Sequence, residues 1–90
     1  MINPNYKIAS DVLLSNVDDG AVLLHAKRGV YFGLNPVGSE IWTMLTQGLS
    51  SSDCVAQLIA SYEIDETTAK QDYEELIMEL LEQGLIKLDE

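Results

Sequence analysis

Positive charge is scarce in this chain: five lysines and arginines stand against fifteen aspartates and glutamates, a formal net charge of −10 at pH 7. Neutralising phosphates with cationic side chains supplies most protein–nucleic acid affinity. Here Lys7, Lys27, Arg28, Lys70 and Lys87 are scattered, with one adjacent pair. Nucleic acid is therefore disfavoured as a partner, and so is an anionic membrane. Cysteine is almost missing as well. Cys54 alone forms no internal disulfide, which fits a reducing cytoplasm, and with His25 as the lone histidine no structural zinc site can be completed. No apolar run approaches the ~18 residues that a membrane-spanning helix needs. Met1-Ile2-Asn3-Pro4-Asn5 has neither a basic stretch nor an apolar signal core, so no export and a cytoplasmic location are expected.

The chemistry of catalysis is equally thin. A nucleophile with its base, paired carboxylates in a pocket, a phosphate-binding glycine loop or a metal cluster would be needed. Cys54 opens a helical segment and reads as a small buried hydrophobe. His25 lies on a strand beside a turn and reads as an exposed or hydrogen-bonded strand residue. Gly29, Gly33 and Gly38 match neither GxGxxG nor the Walker spacing. Glu75, Glu79 and Glu82 recur at helical spacing and read as solvated surface. The expectation is a non-enzyme that needs no metal and no cofactor.

What is present is pattern. Ninety residues with 47% hydrophobic content make one folded domain, too small for a second. Tyr6-Lys7-Ile8 is a candidate short strand in an otherwise irregular lead-in. Val12–Val17 and Ala21–Ala26 are strand-like runs around Asp18-Asp19-Gly20, a hairpin turn, and Lys27-Arg28-Gly29 turns into a third strand, Val30–Leu34. These predict an antiparallel meander whose third strand is an edge. Three helices follow. Pro36 to about Gln47 carries Val37, Ile41, Trp42, Met44 and Leu45 on one stripe and stops at Gly48. A second runs from the Ser50–Asp53 cap cluster to Tyr62, with Val55, Leu58, Ile59 and Tyr62 inward. Asp65 caps a third, whose broad face holds Ala69, Tyr73, Leu76, Ile77, Leu80 and Leu81 before Gly84. Asp72, Glu79 and Gln83 border that face, and Leu85–Leu88 is a candidate last strand. Ten of the fifteen acids lie from Glu63 onward, which makes the C-terminal third an acidic surface.

The junction Lys27–Trp42 is the most informative segment. Val30, Phe32 and Leu34 alternate with Gly29, Tyr31 and Gly33, so one strand face is apolar and the other is a tyrosine between two bare positions where a second backbone has room. Asn35 caps the following helix and Pro36 suits its first turn. Trp42 is read as core.

The passage YFGLNPVGSEIW (residues 31–42) resembles the LNxxGxxIW signature of the PqqD-like family, and the likeness in pattern extends over about residues 8–88. Members are peptide recognition elements of pathways that modify ribosomally made peptides. The stretch DDGAVLLHAKRGVYFGLNPVG (residues 18–38) is more similar to the stand-alone proteins of lasso peptide biosynthesis than to the pyrroloquinoline quinone pathway member. The resemblance implies an α+β, winged-helix-like fold, with a three-stranded antiparallel sheet followed by three helices. It implies that a precursor's leader peptide adds as a strand in a groove between the third strand and the third helix. On the strand side the groove would hold Arg28, Gly29, Val30, Tyr31, Phe32 and Gly33; on the helix side Ala69, Asp72, Tyr73 and Leu76. Tyr73 and Leu76 would line an apolar pocket suited to the tyrosine and proline that leaders in lasso systems tend to carry, and Lys27 or Arg28 would pair with a leader carboxylate. The implied partner is a separate transglutaminase-like cysteine peptidase that removes the leader. Alternatives are a peptide chaperone of the quinone cofactor pathway, a winged-helix DNA-binding regulator, which the charge opposes, and a structural subunit. An uncovered edge strand also allows a homodimer by strand exchange.

Overall fold

The structure, a computed structural model, describes residues 6–88. The N-terminal stretch read above for a signal segment and the final acidic pair lie outside the described residues. Strand β1 (Tyr6–Ile8) is followed by β2 (Val12–Val17), β3 (Gly20–His25) and β4 (Val30–Leu34), then helices α1 (Pro36–Thr46), α2 (Ser51–Tyr62) and α3 (Glu66–Glu82), and strand β5 (Ile86–Leu88). This is the expected α+β arrangement, a three-stranded antiparallel sheet followed by three helices.

The sheet has the order β2-β3-β4, so β4 is an edge, as its position in the meander predicts. Asp18 and Asp19 alone form the hairpin loop, because Val17 already pairs with Gly20. Gly20 begins β3 with φ +153°, and a Cβ there would collide with the carbonyl oxygen of Leu34 at the end of β4. Only glycine fits both demands. Alternation along β3 then sends Ala21, Leu23 and His25 inward.

Each helix starts as its cap residue dictates. Asn35 Oδ1 accepts from the Gly38 N–H at 2.7 Å, Ser50 Oγ from the Asp53 N–H at 3.3 Å, and Asp65 Oδ1 from the Thr68 N–H at 2.8 Å. Gly48 and Gly84 follow α1 and α3 with positive φ, +79° and +71°. The inward faces meet in one core, with α1 packed against β3 and α2 and α3 against α1 and each other. Leu23, Ile41, Leu58, Leu80, Leu85 and Cys54 are fully buried, with Trp42, Leu45 and Ile77 packed among them. Each buried leucine contributes roughly 2 kcal/mol of transfer free energy.

Two residues read as inward are not. Tyr62 ends α2 and is 38% exposed, because the chain leaves at once through Glu63 in the left-handed region; Leu81, at the margin of the α3 face, is 40% exposed. The short strands pair with each other: β1 and β5 run antiparallel with Tyr6 opposite Leu88, Lys7 opposite Lys87 and Ile8 opposite Ile86, extended by Ala9 N–H donating to Leu85 O at 3.0 Å.

Candidate functional site

A cleft of about 200 Å³ lies between β4 and α3 and reaches α1. Its strand wall is Phe32, Gly33 and Leu34; its helix wall is Asp72, Glu75, Leu76 and Glu79; Val37, Gly38 and Ile41 of α1 close one end. β4 supplies this wall because it pairs only with β3, which leaves its second edge without a strand partner among the described residues. A Cβ built on Gly33 would meet nothing within 4 Å, so the backbone is open to approach there. Spacing of i, i+3, i+4 and i+7 places Asp72, Glu75, Leu76 and Glu79 on one flank of α3. An apolar floor thus meets a row of three carboxylates.

Of the residues named from sequence, Phe32, Gly33, Asp72 and Leu76 come together in this cleft. Val30 is half-buried beside Phe32 on the sheet's inner side, whereas Tyr31 is 72% exposed on the outer face, opposite Leu24. Ala69 and Tyr73 are placed elsewhere. Ala69 is 0% and Tyr73 4% exposed, both inside the core cluster, and Tyr73 lines a different hollow of about 690 Å³ between α2 and α3. The apolar face of α3 is wide enough to serve two neighbours, and its middle is used for packing. Burial raises the Tyr73 hydroxyl pKa, and that hydroxyl has no hydrogen-bond partner among the described residues.

The two cations also differ in placement. Lys27 lines a shallow hollow by Gly84 and Ile86 on the far side of the β3–β4 turn. Arg28 reaches α3 and donates from Nη1 to the Gln83 carbonyl at 2.7 Å. Gly29, with φ +67°, closes the turn by donating to His25 O at 2.8 Å. His25 is buried, and its Nδ1 accepts from the Arg28 N–H at 3.4 Å. Sequence reasoning did not reach Leu34, Asn35, Val37, Gly38, Ile41 or Glu75 as cleft residues, and it placed Glu79 only on the border of the α3 face. The capping of Asn35 onto Gly38, which swings α1 beside β4, was the available signal.

Among the described residues no group of His, Cys, Asp or Glu is arranged to hold a metal ion, and no helix is long and apolar enough to cross a membrane. The arrangement is that of a small α+β domain with an open sheet edge running beside a helix, a geometry that in general accepts an extended peptide. The chain belongs to the PqqD family: the family described as coenzyme PQQ synthesis protein D matches residues 20–86. Two solved structures are similar over nearly the whole chain. One, TbiB1 in complex with the TbiA(beta) leader peptide, is 36% identical with a TM-score of 0.83, covering 90% of this chain and 94% of its own. The other, lasso peptide synthetase B1 complexed with the leader peptide, is 29% identical with a TM-score of 0.83, covering 92% and 98%. No curated protein sequence matches.

Proposed function

We propose that this protein binds the leader segment of a ribosomally made precursor of the lasso type and presents it to a separate transglutaminase-like cysteine peptidase. The observation that carries the reading is the free edge of β4 beside the β4–α3 cleft. The two similar structures, described as complexes with leader peptides, support it. An extended peptide on β4 gains main-chain hydrogen bonds, and its alternate side chains point to opposite faces of the enlarged sheet. Those turned inward enter the cleft over Phe32 and Leu76; those turned outward lie beside Tyr31. Ala69 and Tyr73 serve by seating α3, without touching the peptide. The protein itself does no chemistry. As a single cytoplasmic module it raises the precursor's effective concentration at the enzyme.

Anisotropy titration with a labelled synthetic leader, taken from the precursor encoded beside this chain, tests the reading. Micromolar or tighter binding is expected, lost in a leader without its tyrosine and proline. Leu76→Asp, at a half-buried cleft position, lowers affinity by at least about tenfold. Tyr31→Ala lowers it only a few-fold, the scale of one cross-strand pair, roughly 0.2–1 kcal/mol. A folded protein that ignores the intact leader overturns the proposal. The family description favours one second reading, a peptide chaperone in the quinone cofactor pathway; preferential binding of that pathway's precursor would select it.

A further inference from the structure

Arg28 joins the β3–β4 turn to the C-terminus of α3. The far end of the cleft is framed by α1, which follows β4 directly through Asn35 and packs against both β4 and α3. At the near end the connection is Arg28, whose guanidinium reaches across 55 residues of sequence to the Gln83 carbonyl at 2.7 Å. We propose that Arg28 is a positioning residue that sets the width of the β4–α3 cleft by tying the β3–β4 turn to the C-terminus of α3. The inference rests on the reading of that cleft as the peptide site.

Three observations support the tie. The last turn of α3 has no basic residue of its own, so the partial negative charge of its terminal carbonyls is met by a cation from another element. Gly84 leaves the space: its φ is +71°, and a Cβ there would collide with Arg28 Nη1. The turn that carries Arg28 is itself anchored, since Ala26 N–H donates to Asp11 O at 2.8 Å and Gly29 N–H to the carbonyl of buried His25 at 2.8 Å. A charge-assisted bond from a fixed turn to a helix end makes a strut. This role takes the place of a pairing between Arg28 and a leader carboxylate.

Arg28→Ala, Arg28→Lys and the parent protein are compared by leader titration and by amide hydrogen exchange of the free proteins. Arg28→Ala is expected to stay folded, to lose roughly tenfold in leader affinity, and to speed exchange at the Gly84 and Leu85 amides about tenfold. Lysine at 28 restores part of both by returning a cation to the helix end. The affinity loss is the same for a leader whose acidic residues are changed to amides. Unchanged affinity in Arg28→Ala overturns the proposal, and so does a loss that disappears with the carboxylate-free leader, which marks direct pairing. If the parent protein binds no leader, the functional reading falls by itself. Exchange then judges the strut alone, and unchanged protection in Arg28→Ala removes it.

Discussion

Cys54 sits in the first turn of α2, where the helix N-terminus ordinarily lowers a thiol pKa. Here burial wins, with the Asp53 carboxylate adding to it, and the thiol is pushed up to about 11 from an ordinary 9.0. The native thiol is therefore expected to resist alkylation at pH 8 and to react rapidly once urea unfolds the chain, which a mass-spectrometric time course reads directly. Stability follows the same shift. The folded state keeps a proton that the unfolded chain releases, so the thiol's contribution is complete below about pH 9 and is lost as pH rises towards 11. Tyr73, also raised by burial, extends the loss above its ordinary 10.0. Urea midpoints should fall along this alkaline limb, and Cys54→Ala should flatten its first part, at the expense of some packing.

At the scale of elements, the passage from β4 into α1 explains its own sequence. Leu34 is buried, Asn35 caps, Gly38 has Asn35 Oδ1 and Leu34 Cδ2 only 3.3 Å from where a Cβ would stand, and Ile41 and Trp42 enter the core. The signature therefore builds the scaffold and, through Leu34, Gly38 and Ile41, part of the cleft lining as well. Asn35→Ala should cost about 1 kcal/mol, measured by urea unfolding, and should loosen the α1 end of the cleft. The caps, the hairpin and the helix stripes were legible because each depends on residues a few positions apart. The β1–β5 pairing was legible only as two candidate strands, since three residues at each end carry no register. The cleft wall on α3 was half legible: Asp72 and Glu79 were recognised as a polar border, but periodicity on a face this wide does not say which flank meets which neighbour. Packing against α2 claimed Tyr73 and left Leu76 to the cleft. Nothing local announces that Arg28 will find Gln83.

For the molecule as a whole, the net charge of −10 is not evenly spent, because Asp72, Glu75 and Glu79 line the cleft. A leader carrying lysines or arginines should be drawn in faster at low ionic strength, its association rate falling several-fold between about 0.05 and 0.5 M salt. Stopped-flow measurements should find that dependence much reduced when all three acids are changed to amides. The β1–β5 ladder has a different consequence. Tyr6 and Leu88 lie side by side, so the described domain is closed like a loop held by a clasp. A short linker from residue 88 back to residue 6 should permit circular permutation, reopened between Asp18 and Asp19. By the same geometry the domain can be inserted as a cassette into a surface loop of an unrelated carrier, both junctions leaving from one point while the β4 edge stays free.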